Sequence, residues 1–151
     1  GTHMNDEVKL SIYSADADSV VELPYADAGV RAGFPSPAQD YITESIDLNR
    51  ELIHHVETTF YARVAGDSMN GAGIYDGDIV VIDKALEAKD GDYIVAYVDG
   101  EFTLKRFKMD PSGQCAWLMP ANPKYEPIKV TADNDFMVWG VVTSIIRKLH
   151  R

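Results

Sequence analysis

Ser68 and Lys105 are the residues of this chain whose types and settings point most directly to chemistry. Ser68 lies in "VAGDSMNGAGIYDGDIVVID", residues 64 to 83, among glycines and aspartates just ahead of an apolar run. A serine there is either a turn residue or an exposed nucleophile, and the second role requires a group that takes its proton. Histidine is the most frequent such base. Here His54 and His55 stand in a segment ahead of the strand-rich region, His150 is one residue from the C-terminus, and all three read as solvated. His3 belongs to Gly1-Thr2-His3-Met4, which has the form of a trimmed expression tag, with native sequence expected from Met4.

The remaining partner for Ser68 is a lysine, a known variant of the hydrolytic triad. Lys105 sits in "EFTLKRFK". Strand alternation puts Phe102, Leu104 and Arg106 on one face and Thr103, Lys105 and Phe107 on the other. Periodicity alone favours a solvated strand lysine, and a lysine pointing into a half-buried cleft is the alternative. The energetic demand of the second is explicit. At its ordinary pKa of about 10.4 a lysine is neutral roughly once in 2,500 molecules at pH 7. To act as a base it must fall to about 7, a change costing on the order of 4–5 kcal/mol. Burial can supply that change.

Other chemistries fare worse. Gly66-Asp67-Ser68 also begins the motif of GDSL-type hydrolases, but those use a late Asp-x-x-His, and here Arg147 stands three residues before His150. There is no HExxH, paired-cysteine spacing or EF-hand pattern, and "DNDF" and "YDGD" read as turn punctuation, so no metal site is expected. Neither a P-loop nor GxGxxG is present, and no cofactor is expected. The 14 basic and 24 acidic residues give a formal charge of −10, which opposes direct DNA binding. One cysteine, Cys115, excludes an internal disulfide and fits a reducing compartment. No apolar run reaches the roughly 18 residues of a membrane span, and no signal peptide is visible. A soluble, cytoplasmic protein with no membrane association is expected.

The elements that must position Ser68 and Lys105 are mostly strands. From Thr58 onward, runs of β-branched and aromatic residues alternate with turns at Asp76-Gly77, Asp90-Gly91, Asp99-Gly100 and Ser112-Gly113. They predict strands at Thr58 to Val64, Ile79 to Asp83, Tyr93 to Val98, Glu101 to Lys108, Cys115 to Met119 and Phe136 to Ile146. Asp99-Gly100 signals a tight hairpin. Ahead of these, residues 4 to 32 are acidic and weakly periodic and read as an extended arm ending in "YADAGVRAGFPSP", a segment able to enter a cleft. Ser36-Pro37-Ala38-Gln39 carries a capping-box pattern that predicts a short helix from about Pro37 to Glu44 or Ser45. "IDLNRELIHHV" reads as a covering loop or a second helical turn. At 151 residues the chain is about one domain long.

These pieces resemble the UmuD branch of the LexA-like self-cleaving serine peptidases, the S24 family. The resemblance is carried by "AGFPSPAQDY" at 32 to 41, "IDLN" at 46 to 49, "GDSM" at 66 to 69, "DGD" at 76 to 78, "VDGEFTLKR" at 98 to 106 and "VWGVV" at 138 to 142, in the family's order and spacing. It implies a mostly β fold of the LexA/UmuD type with one short N-terminal helix and an extended arm. It implies that Ser68 is the nucleophile and Lys105 the general base, with the backbone of Asp67, Ser68 and Met69 serving the oxyanion. It implies that Ala32-Gly33 is the bond cut, with Ala28-Gly29 a second candidate. Residues 4–32 would then be an arm removed by self-cleavage, and 33–151 a peptidase and dimerisation domain. The implied partners are a second copy of the chain, the RecA filament on single-stranded DNA as activator, and a Y-family polymerase subunit of the UmuC type. LexA-type repressors carry a helix-turn-helix domain ahead of the cut, whereas Met4 to Ala32 is acidic and poorly helical, so a UmuD-like role is expected over a repressor's. A non-cleaving module that only binds a polymerase is the competing expectation. Signal peptidase also pairs a Ser-Met sequence with a lysine, but it is membrane-anchored.

Overall fold

The computed structural model describes residues 8–15, 22–26 and 42–150. Among them are strands β1 (Val8–Ser14), β2 (Glu22–Ala26) and β3 (Ile42–Asp47), helix α1 (Leu48–Leu52), and strands β4 (Thr59–Gly66), β5 (Ile79–Asp83), β6 (Tyr93–Val98), β7 (Glu101–Met109), β8 (Ala116–Met119), β9 (Ile128–Val130) and β10 (Phe136–Ile146). The chain divides into two compact units, one of Gly1–Ala15 with Glu57–Arg151 and the other of Asp16–Val56.

The larger unit is built on an eight-stranded sheet in the order β1-β4-β5-β10-β6-β7-β8-β9, and every neighbouring pair is antiparallel. The β6–β7 hairpin closes at Asp99 and Gly100, whose φ values of 47° and 93° are those of the turn that Asp-Gly favours. Asp99 fixes this turn to the start of β10, because its carboxylate accepts from Asp135 N at 3.0 Å and Asn134 Nδ2 at 3.1 Å. β10 spans 11 residues because it serves two neighbours, pairing through its first part with β6 and through its last part with β5. Its register shifts between Val138 and Gly140 and again between Val142 and Ser144, so the strand bends as it changes partner.

Alternation on these strands produces two apolar clusters. One contains Ala62, Val64, Met69, Ile74, Val80, Ile82, Val95 and Leu104, and the other Ile94, Ala96, Val98, Phe107, Ala116, Leu118, Val130 and Val141. Val95 lies opposite Leu104 in register, while Ile94 lies opposite Lys105 and Ala96 opposite Thr103. β6 and the 103–105 stretch of β7 are therefore buried on both faces, and a polar side chain pointing inward there must find its partners inside the protein.

The predicted strands at 79–83, 93–98 and 136–146 stand where expected, and the others differ at their ends by one or two residues. The helix expected from Pro37 to Glu44 or Ser45 is corrected in part. Residues 42 to 45 are strand, within β3, which pairs antiparallel with β2. Residues 37–41 lie outside the described residues. A cap signal at the front of so short a segment cannot make a helix stable alone, and β-branched Ile42 and Thr43 suit a strand as soon as a partner is available. The second helical turn is α1, capped by Asp47, whose side chain accepts from Asn49 N at 3.0 Å. Inside the expected arm, β1 pairs with β4, and this strand was not expected.

Gly140 tests the β10 bend. A Cβ there would stand 2.5 Å from Ile82 Cγ2, a methyl of a completely buried residue. Gly140→Ala should lower stability by about 1–3 kcal/mol, the usual cost of an overpacked core, measured by urea unfolding. A change below about 0.5 kcal/mol would show that the sheet relaxes freely at this point.

Candidate active site

β4 ends at Gly66, whose φ of 110° is open to glycine and strained for other residues. Gly66 N donates to Asp76 Oδ1 at 2.9 Å, which draws the far end of the following loop against its beginning. Between these points the chain turns through Asp67, Ser68 and Met69 into a short 3-10 turn at Asn70–Ala72. Met69 is buried in the first apolar cluster and anchors the turn from below, and Ser68 has no exposed surface.

A second loop, residues 120 to 125, clamps this turn. Ala121 N donates to Ser68 O at 2.8 Å, and Gly71 N donates to Ala121 O at 2.6 Å. Asn122 Nδ2 donates to Asp67 O at 2.9 Å, and the Tyr125 hydroxyl donates to the Asp67 carboxylate. The approach is close enough that a Cβ on Gly71 would lie 2.5 Å from Ala121 O. The Tyr125 hydroxyl, with the Lys124 ammonium 3.6 Å away, holds the Asp67 carboxyl below the usual carboxylate range, and the same bond raises the Tyr125 hydroxyl. Among the described residues, the backbone N–H groups of Ser68 and Met69 make no hydrogen bond with another backbone group.

Lys105 approaches from β7. Thr103, Lys105 and Phe107 are all buried, so the strand face holding the lysine is an interior one. The periodicity-favoured reading of Lys105 as a solvated residue is thereby corrected, and the physical reason is coverage of that face by the second apolar cluster. Its Nζ lies 3.3 Å from Ser68 Oγ, 2.9 Å from Thr103 Oγ1 and 3.1 Å from Leu104 O. Ser68 and Lys105 both have 0% exposure, a rare state for lysine.

Thr103, Leu104 O, Asn122 and Tyr125 were not expected as parts of the site. Thr103 could have been found from its same-face position two residues before Lys105. The loop 120–125 leaves no such signal, because it reaches Ser68 only through the tertiary fold. His54, His55 and His150 are exposed, as expected. Ala32-Gly33 and Ala28-Gly29 both lie outside the described residues. No helix among the described residues is long and apolar enough to cross a membrane.

The return limb of the Ser68 loop is tied to the end of β10. Arg147 Nε donates to Asp78 Oδ1 at 2.6 Å, Arg147 also bonds Asp78 Oδ2 and Gly73 O, and its guanidinium lies 4.6 Å from the Tyr75 ring centroid. Asp78 Oδ2 further accepts from Tyr75 N at 2.7 Å. The guanidinium holds the Asp78 carboxyl below its ordinary value, with Tyr75 N adding to the effect and burial opposing it.

The family described as Peptidase S24-like matches residues 24–143. Protein SamA of Salmonella typhimurium is 43% identical over 117 residues, covering 78% of this chain and 79% of SamA. Protein MucA of Escherichia coli is 38% identical over 138 residues, covering 90% of this chain and 92% of MucA. The LexA repressor of Mycobacterium bovis is 39% identical over 137 residues, covering 89% of this chain and 56% of the repressor.

The Asp78 tether predicts a pH dependence. A carboxyl depressed in the folded state contributes stability that is fully present above its unfolded pKa of about 3.9 and is lost as pH falls through the folded value. Asp78→Asn should cost about 1–3 kcal/mol at pH 7, and the gap from the parent should shrink below about pH 4. Denaturant titrations from pH 7 to 3 check this, and a gap that stays constant across that range contradicts it.

Proposed function

Because the chain belongs to the Peptidase S24-like family, of the LexA/UmuD type, we propose that it is an autocatalytic serine peptidase of the SOS DNA-damage response that cuts its own Ala32-Gly33 bond. The observation that carries this reading is the 3.3 Å approach of Lys105 Nζ to Ser68 Oγ with neither residue exposed.

The chemistry follows from what a buried amine can hold. Burial penalises the ammonium form and favours the neutral amine, which has two N–H bonds and one lone pair. Thr103 Oγ1 and Leu104 O are acceptors for the two N–H bonds, which turns the lone pair toward the Ser68 hydroxyl. Lys105 then takes the Ser68 proton, and the alkoxide attacks the Ala32 carbonyl carbon. The backbone N–H groups of Asp67, Ser68 and Met69 are candidates to receive the oxyanion, and the clamp from loop 120–125 fixes the turn that carries them. Lys105 returns the proton to the Gly33 nitrogen as the peptide bond breaks. A water then attacks the Ala32 ester, which frees Ser68 and leaves Ala32 as a carboxylate.

Substrate and enzyme are one chain, so the arm supplies its own effective concentration and regulation must act on whether the arm reaches the dyad. The RecA filament on single-stranded DNA is the proposed stimulus. The proposed product is an accessory subunit for an error-prone Y-family translesion polymerase of the UmuC-bound type, working as a cytoplasmic homodimer. Relatives of the same family that align over nearly their whole length, such as MucA, support the UmuD-like role over a repressor's.

Incubation at pH 9–10 without activator tests the proposal, because alkali deprotonates lysine. Mass spectrometry should find a product beginning at Gly33, formed faster as pH rises. Ser68→Ala and Lys105→Ala should each slow its formation by at least about 100-fold, the scale of lost acid–base catalysis. Wild type that remains intact at pH 10, and also with activated RecA filament, would make the chain a non-cleaving interaction module.

A further inference from the structure

The edge of β4 is occupied by a strand that the proposed cut does not touch. β1 runs antiparallel to β4 in a seven-pair register from Val8 opposite Gly66 to Ser14 opposite Phe60, and Ala15 N donates to Thr59 O at 3.2 Å just beyond it. Leu10 lies opposite Val64 and Ile12 opposite Ala62, two fully buried core residues, and both Leu10 and Ile12 pack on the first apolar cluster. Between and beyond them, Ser11 and Tyr13 face solvent, Tyr13 with 57% of its surface exposed. β1 therefore fills a seat of defined chemistry: an open strand edge with apolar room at two positions spaced two residues apart. The other edge of β4 is taken by β5, so loss of β1 would leave β4 as a bare edge with the core directly behind it.

We propose that β1 remains seated on β4 after the chain is cut, so that self-cleavage yields a nicked protein in two pieces, the first held as a complementing strand. The division of the chain supports this. β1 groups with Glu57–Arg151, and the Ala32-Gly33 bond comes well after Ser14, the last β1 residue paired with β4, so hydrolysis there breaks none of the β1–β4 pairs. The occupant is the chain's own arm. Release of residues 4–32 is then a second, reversible step after hydrolysis, governed by strand exchange and available to a competing strand of the same apolar spacing. The proposal rests on the self-cleavage reading only for the event that makes the nick.

The test makes the nick independently. In full-length Ser68→Ala protein, a site-specific protease recognition sequence is placed within residues 27–33 and cut by the added protease, so the outcome does not depend on whether the chain cleaves itself. With a fluorophore on the first piece, anisotropy on serial dilution gives the dissociation constant. The pieces should stay associated at micromolar concentration. Leu10→Asp with Ile12→Asp should weaken them by about 10- to 100-fold, the scale of two lost aliphatic contacts. Ser11→Asp, on the solvent face, should change the constant by less than about twofold. Thermal unfolding of each uncut variant verifies that the body is folded. Pieces that separate at micromolar concentration, or a constant equally affected by Ser11→Asp and by the double substitution, overturn the proposal.

Discussion

Lys105 Nζ and Ser68 Oγ share an interior with no exposed surface on either residue, and an ammonium is far harder to keep there than an amine. Much of the larger unit contributes to that enclosure. β7 is held between β6 and β8, and Ile94 stands beside the lysine across the β6–β7 ladder. The Ser68 turn is fixed at three places: by Gly66 at its start, by Met69 in the core beneath it, and by Ala121 and Asn122 from outside. Loosening any of these would admit water to the lysine and stabilise its charged form. Under the proposed mechanism stability and reactivity are coupled through one buried nitrogen, and Gly71 and Gly140, both set against close neighbours, show how little slack the packing leaves.

Much of this was legible from residue order, and the unread part has a consistent physical cause. Strands such as Ile79–Asp83 and Tyr93–Val98 announce themselves because β-branched runs end at Asp-Gly turns whose backbone demands are local. Lys105 was legible as a strand lysine but not as a buried one, since alternation names a face without saying what covers it. The capping signal at Ser36 misled for residues 42–45, because strand pairing with Glu22–Ala26 is a non-local effect that outweighs a local cap. β1 and β9 lie at the two ends of the sheet order; β1 owes its conformation to β4, some fifty residues on, and β9 has only three residues in which to show a pattern. Asn122 and Tyr125 are 55 and 58 residues from the aspartate they hold, and nothing in their neighbourhood marks them as part of a site.

The arm and the dyad place opposite demands on one chain. The proposed substrate bond has to be free to reach a buried serine, yet the residues ahead of it include a strand that completes the sheet. Splitting these roles between segments resolves the conflict. β1 is anchored on β4, while the bond proposed to be cut lies beyond it in the sequence. Hydrolysis and arm release then become separable events, each with its own barrier.

Titration of Lys105 itself is the most direct measurement. Full-length Ser68→Ala protein with 13C-labelled lysine side chains can be followed by NMR from pH 5 to 11, the Lys105 signal being assigned by its loss in Lys105→Met. A buried base should titrate far below the ordinary lysine value of about 10.4, toward neutrality. A Lys105 signal that titrates together with the exposed lysines near that value would contradict the account.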